Sequence, residues 1–286
     1  DGTSPMPPQF LVVGHVTRDL QVVGYRLGGT AIYASLTAQR LGLRAGLVTA
    51  SHPDLQLSKQ LAGVEVVNKA SRHTTTMRNE YLPQGRVQYM EEVASPITAE
   101  DIPLDWRSCP VVLLGPVAQE VDTAIASVFK GALLGLSLQG WLRRWDSSKR
   151  VGGISLKDEA FLGYGQVAIL SQDDLPSRYV PEGWLKLVPV FILTRGREGA
   201  LLYVEKQWYR VPPWPAREVD PTGAGDVFAA AYLVRYYETE DPFAAALFAS
   251  AAASLKVEGI GPAAVPTRQA VEARLSSNRH AKVEVQ

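Results

Sequence analysis

One cysteine stands among 286 residues. Cys109 alone can close no internal disulfide, and its place just before Val111-Val112-Leu113-Leu114 reads as a buried bystander rather than a nucleophile. An excess of either charge is lacking too, since 29 Lys and Arg balance 29 Asp and Glu. Nucleic acid and anionic membranes both demand a basic face, so neither is expected as a partner. The four histidines, at 15, 52, 73 and 280, have no metal-ligand spacing, which argues against a zinc site. Long apolar runs are missing as well. Phe243 to Leu255 is too short to span a bilayer and carries Ser250 and Ser254. The opening Asp1-Gly2-Thr3-Ser4-Pro5 has no leader character and reads as a cloning remnant before Met6. The expected setting is reducing and cytoplasmic.

What is present is an apolar fraction of 46%, enough for a sizeable core in a chain of this length. Phe10 to Val13, ending at Gly14, reads as a buried strand, and Gln21-Val22-Val23 as another, closed by Gly28-Gly29. Residues 30–41 place Ala31, Ala34, Ala38 and Leu41 on one helical face, with Gly42 as the stop. Strands follow at 45–50 and 64–67 around a helix near 54–61. The rhythm resumes with strands near 111–115, 133–138, 167–170 and 190–194, a hairpin at 199–211, and helices near 223–237 and 242–257. Short apolar runs alternating with helices predict a mostly parallel sheet covered on both faces. Between 73 and 93 the pattern changes. Thr- and Tyr-rich stretches flank Pro83-Gln84-Gly85, which predicts a polar hairpin outside the main sheet, with little core of its own.

The chemistry concentrates in Asp220-Pro221-Thr222-Gly223-Ala224-Gly225-Asp226, ahead of an alanine-rich helix. Pro221 disfavours helix before it, and the glycines let the chain turn sharply and approach a ligand. A helix starting there offers free N–H groups and the positive end of its dipole, which together cradle an anion. Asp226 adds a carboxylate beside that cradle and is expected to stay ionised there. Donors for phosphate next to an acceptor for a hydroxyl proton suit phosphoryl transfer. A dinucleotide fingerprint fails because Phe228 stands where a third small residue is needed, and no P-loop or Gly-x-Ser-x-Gly elbow occurs.

The chain resembles the ribokinase-like, PfkB-type carbohydrate kinases from about Phe10 to Thr267. The resemblance rests on the 220–226 segment, on Gly28-Gly29 with its helix to Leu41-Gly42, and on Thr194-Arg195-Gly196-Arg197-Glu198-Gly199. It implies a three-layer α/β/α fold with a small β lid from about 15–28 and 73–93, all within one kinase domain over 6–286. Asp226 is then the catalytic base, and the Gly223, Ala224 and Gly225 amides form the anion hole. Asp19, Gly28, Gly29 and Thr30 fall on the acceptor side. Thr194, Gly196, Gly199, Thr222, Ser250 and Gly261 fall on the nucleotide side. ATP and Mg²⁺ are implied as cofactors, a monovalent cation (K⁺) near Asp220–Thr222, and a homodimer through the lid.

Departures from the pattern bear on the substrate. Ribokinase has Gly-Gly-Lys-Gly-Ala-Asn where this chain has Gly28-Gly29-Thr30-Ala31-Ile32-Tyr33, and no carboxylate is found at Gly115-Pro116-Val117. Ribose is therefore disfavoured. The family's Asn-x-x-Glu appears as Ser171-Gln172-Asp173-Asp174, which leaves Asp174 as the indirect metal contact. Arg78 and Asn79 on the flap, and Gln139 and Arg143 after the 133–138 strand, are the candidates to hold the acceptor. The expected activity is ATP-dependent phosphorylation of a small sugar or an inositol-type cyclitol. A nucleoside kinase of the same fold and a non-catalytic binding member are the alternatives.

Overall fold

The computed structural model describes residues 7–82, 85–175, 177, 179–278 and 281–286. The segment Asp1–Pro5, His280 and part of the Pro83-Gln84-Gly85 turn lie outside them.

In chain order the elements are β1 (Phe10–Val13), β2 (Thr17–Leu20), β3 (Tyr25–Gly28), α1 (Thr30–Arg40), β4 (Ala45–Ser51), α2 (Leu57–Gln60) and β5 (Val64–Ala70). Next come β6 (Thr75–Leu82), β7 (Gly85–Glu92), β8 (Val111–Leu114), β9 (Leu133–Ser137), β10 (Arg143–Trp145), β11 (Val151–Gly153), β12 (Val167–Ser171) and α3 (Glu182–Leu187). The chain finishes with β13 (Val190–Thr194), β14 (Ala200–Val204), β15 (Gln207–Val211), α4 (Ala224–Thr239), α5 (Pro242–Lys256), α6 (Arg268–Ser277) and β16 (Glu284–Val285).

Ten strands form one sheet in the order β16-β15-β14-β13-β12-β9-β8-β1-β4-β5. From β5 to β13 the neighbours run parallel, and β14 to β16 extend the sheet antiparallel. Its central strands β1 and β8 are apolar and buried at every position because both faces are covered. Phe10 and Val12 of β1 enter the core beneath α1, α4 and α5, while Leu11 and Val13 enter the core on the other face. That second face is covered by α3 and short 3₁₀ turns such as 123–129 and 160–164. The result is the three-layer α/β arrangement that the sequence predicts. The Ala-rich α5 is no membrane span. Its small side chains let it pack closely on α4, and Asp241 caps it by accepting from the Phe243 and Ala244 N–H groups.

A separate four-stranded sheet, in the order β3-β2-β6-β7, forms the lid. Three expectations are corrected here. Gln21-Val22-Val23 is the turn between β2 and β3 rather than a strand, with Val22 and Val23 fully exposed. The 54–61 helix is reduced to a 3₁₀ turn (Pro53–Leu55) and the one-turn α2, because Gln56 between them adopts φ 45°. The lid also has a small core after all, in which Met77 and Met90 pack against Val117 and Ala118.

Candidate active site

β1 leads on one side to β4 and β5, whereas β8 lies on its other side, so the strand order reverses between β1 and β8. Open α/β sheets collect ligands at the carboxyl ends of strands at such a point. A cavity of about 640 Å³ lies there. It runs from the lid, past the start of α4, to the β13–β14 turn.

The anion loop sits at its waist. Gly223 precedes α4 at φ 79°, a left-handed conformation suited to glycine, and a Cβ there would lie 2.4 Å from the Tyr33 ring. The Gly223, Gly225 and Asp226 N–H groups make no backbone hydrogen bond among the described residues, and the space around Gly225 is open. The Ala224 N–H behaves otherwise. It donates to Pro221 O at 3.1 Å and closes the turn, so the expectation that it belongs to the anion hole is corrected. The free donors are those of 223, 225 and 226.

Asp226 stands in the first turn of α4, and Thr30 Oγ1 donates to its Oδ1 at 2.7 Å. Part of its side chain faces the open cavity, yet the surrounding protein strips most of its hydration. This desolvation pushes its pKa from 3.8 up to about 6. The Thr30 hydrogen bond and the Arg143 charge pull it down, while Asp174 and Asp19 add to the rise. The helix dipole alone favours the charged form, and desolvation outweighs it.

On the lid side, Thr17 Oγ1 donates to Asp19 Oδ1 at 2.7 Å. Gly29 lines the cavity, but Gly28 acts differently: a Cβ there would lie 2.2 Å from Asp19 Oδ2, so its bareness makes room for that carboxylate. Met77, Asn79 and Gln88 of the lid face the cavity. Gln88 donates to Asn79 Oδ1 at 3.0 Å and accepts from Arg143 at 3.4 Å. Arg143 is buried, and a second arm donates to Val117 O at 3.1 Å. Arg78 lies on the opposite face of its strand. It is paired with Glu91 at 2.8 Å and with Glu80, and stacked 4.0 Å from the Tyr89 ring centroid, so its expected place on the acceptor is corrected. Gln139 donates to Asp174 Oδ2 at 2.7 Å, and both line the cavity.

At the far end Thr194, Gly196 and Gly199 line the cavity, with Ser250, whose hydroxyl donates to Pro212 O at 2.8 Å. Thr222 lines it too, and its N–H donates to Asp220 Oδ1 at 3.0 Å. Gly261 does not reach the cavity. Its N–H donates to Asp220 Oδ2 at 2.9 Å and its Cα faces Arg26, a correction to its expected nucleotide contact.

A family model for pfkB family carbohydrate kinases matches residues 178–268. That span holds the β13–β14 turn, the anion loop and α5 together. Over that span the chain matches the PfkB carbohydrate-kinase family, and its fold is ribokinase-like. It is 25% identical over 252 residues to a cytidine kinase of Thermococcus kodakarensis, covering 79% of this chain and 88% of that protein. It is 26% identical over 250 residues to an inositol 3-kinase of Zea mays, covering 78% of this chain but 65% of that one. Among solved structures it matches a pyrophosphate-dependent kinase in the ribokinase family, complexed with a pyrophosphate analog and myo-inositol. The TM-score is 0.78 and the identity 21%, over 92% of this chain and 99% of that one.

This ribokinase-like site also contains residues that sequence reasoning missed. Pro213, Trp214 and Pro215 line the far end beside Ala253 and Val257, and the Trp214 Nε1 is buried with no hydrogen-bond partner among the described residues. A Pro-Trp-Pro run after a strand was the available signal. Glu120 is a buried carboxylate close to Gly115-Pro116-Val117, but it accepts from the N–H groups of His15, Val117 and Ala118 at 2.7–3.1 Å. It holds the ends of β1 and β8 together and does not line the cavity. Cys109 is buried, and desolvation pushes its thiol up to about 11, so it is inert.

Proposed function

We propose that this kinase transfers the γ-phosphoryl group of ATP to a hydroxyl of a small cyclitol or sugar. The observation that carries the reading is the pairing, at one point of the cavity, of a desolvated carboxylate at Asp226 with the free N–H groups of 223 and 225. The amides take the charge of the transferring phosphoryl group, and Asp226 takes the proton of the attacking hydroxyl. The acceptor oxygen bonds to the γ-phosphorus as the bond to the β-phosphate oxygen breaks, and ADP leaves with that electron pair. A carboxylate of pKa about 6 is still charged at neutral pH, and it holds a proton better than an ordinary Asp.

ATP is supported by the slot at the far end, where Pro213, Trp214, Ala253 and Val257 offer apolar surface to a nucleobase. Mg²⁺ would neutralise the donor's phosphates, with Asp174 reaching it through water. Among the described residues no three His, Cys, Asp or Glu converge on one point, which suits an ion held mainly by phosphate and water. A polyol acceptor is supported by the polar lining of the lid side, where Asp19, Asn79, Gln88 and Arg143 offer acceptors and donors to several hydroxyls. Inositol is favoured by the likeness to the maize enzyme. A nucleoside acceptor is the second reading, favoured by the likeness to the archaeal cytidine kinase. Two copies pairing through the lid are supported by the exposed Val22 and Val23 at its β2–β3 tip. A cytoplasmic setting agrees with the single, reduced and buried thiol.

The test is a panel of inositols, hexoses, pentoses and nucleosides, each assayed with ATP and with pyrophosphate and compared by kcat/KM. A cyclitol or hexose as best acceptor with ATP supports the proposal. Ribose or a nucleoside as best acceptor, pyrophosphate as the better donor, or no turnover with any pair overturns it.

A further inference from the structure

A monovalent cation near Asp220–Thr222 is what the family resemblance implies, and the residues present do not fit one, because an ammonium already stands there. Lys256 is the last residue of α5 and is fully buried. Its Nζ donates to Asp220 O at 3.1 Å and to Gly259 O at 3.2 Å, stands 4.0 Å from Asp220 Oδ2, and lies 5.6 Å from the centroid of the Tyr33 ring. Carbonyl and carboxylate oxygens around one small cation are the surroundings a free alkali ion takes from a protein, and a π face adds to the attraction. A lysine that only complements the end of its own helix would keep its head in water. Here the side chain turns inward and crosses to the segment that begins the anion loop.

We propose that the Lys256 ammonium is the resident monovalent cation of this site, positioning the anion loop so that the kinase binds its donor without K⁺. The inference rests on the anion-loop reading above. Its leverage comes through two residues. Asp220, whose carbonyl Lys256 holds, also accepts from the Thr222 N–H at 3.0 Å and the Gly261 N–H at 2.9 Å, and pairs with Arg26 of β3 at 3.3 Å. Tyr33, whose ring faces Lys256, is the surface on which Gly223 rests. The ammonium thus fixes both the start of the loop and the floor beneath it, and places a full positive charge behind donors that must meet phosphate. Burial lowers the Lys256 pKa, opposed by Asp220 and reinforced by Arg26. Burial also raises the Tyr33 phenol, which therefore stays neutral.

The first arm of the test uses the unmodified protein. Melting temperature and ATP dissociation constant are measured in KCl and in tetramethylammonium chloride at equal ionic strength. The expectation is an unchanged melting temperature and a dissociation constant constant within about 2-fold, since a covalent cation needs no partner from solution. A protein that melts higher and binds ATP more tightly in KCl overturns the proposal. The second arm uses Lys256→Ala, with Lys256→Met as the better-packed substitute should the alanine variant not fold. In tetramethylammonium its ATP affinity should fall by about 10-fold or more, the scale of losing charge-assisted hydrogen bonds, and K⁺ or methylammonium should restore most of it. Full affinity without a small cation, or no restoration by one, overturns the proposal. Should the unmodified protein bind no ATP, the donor reading fails by itself. The melting temperatures then decide: recovery of the variant by K⁺ or methylammonium supports the ammonium's role, and its absence overturns it.

Discussion

The hydroxyl of Thr30 donates to Oδ1 of Asp226 at 2.7 Å, joining the first residue of α1 to the first turn of α4 across 196 positions of sequence. Thr30 is buried and Asp226 borders the cavity, so the bond fixes the carboxylate from behind. The oxygen left over, Oδ2, is the one available to a bound hydroxyl. Thr30, expected to touch the acceptor, lines the cavity and also reaches Asp226.

Removing that bond should be legible in a pH profile. Thr30→Val keeps the volume and takes away the donor, which at present lowers the Asp226 pKa. The acidic limb of kcat should therefore move to higher pH, with kcat at neutral pH reduced by about 10-fold, the scale of one hydrogen bond to a charged group. An unshifted limb would show that Thr30 does not set the basicity of Asp226.

Asp226→Asn removes proton acceptance and should lower kcat by about 10²–10⁴-fold, while the ATP dissociation constant changes little because the amides are untouched. A stable variant with near-normal turnover would refute the catalytic role.

The same substitution should stabilise the protein at alkaline pH. The pKa of Asp226 is raised in the folded state, from 3.8 to about 6, so the native protein binds a proton more tightly than the unfolded chain. Its contribution to stability is fully present below pH about 3.8 and is lost as pH rises through about 6. Asn cannot ionise and avoids that loss. Melting temperatures of the two proteins from pH 4 to pH 8 should diverge between about pH 4 and pH 6 and then keep a constant gap, with the variant the more stable. Parallel curves would contradict the desolvated carboxylate.

Gly28→Ala would put a Cβ 2.2 Å from Asp19 Oδ2 and force that carboxylate aside. Acceptor KM should rise by about 10-fold or more, as expected when a hydrogen bond to a charged group is lost, with ATP KM nearly constant. Equal effects on both would place Asp19 outside the acceptor subsite.

Hydrogen exchange should divide the lid in two. Thr75 Oγ1 lies 2.7 Å from His15 Nδ1 and accepts from the Ala94 N–H at 3.0 Å, so the amides of 75–77 should exchange slowly with or without ligand. The half-buried stretches 78–80 and 87–89 should exchange quickly in the free protein and slow once ATP analogue and acceptor are present. Strong protection of those stretches without ligand would contradict lid closure.

The amino-acid sequence determined the parts of this protein that are local in the chain. Strands apolar at every position call for a sheet buried on both faces, and β1, β8, β12 and β13 came out within a residue or two of the reading. The anion loop was legible because seven consecutive residues, 220–226, carry both its turn and its carboxylate. The tertiary structure alone decided what depends on residues far apart meeting. Which face Arg78 takes depends on how β6 pairs with β2 and β7, which turns Met77 into the lid core and Arg78 away from it toward Glu91, and one residue of slip exchanges the two faces of a strand. Whether Lys256 lies in water or against Asp220 O depends on how α5 packs beside the 219–222 segment, whose Val219 and Asp220 N–H groups donate to Val257 O. The basicity of Asp226 follows the same rule. A helix start in isolation favours a charged carboxylate, and only the packing of α1, the lid and the 171–174 turn around it removes the water that would keep its pKa low.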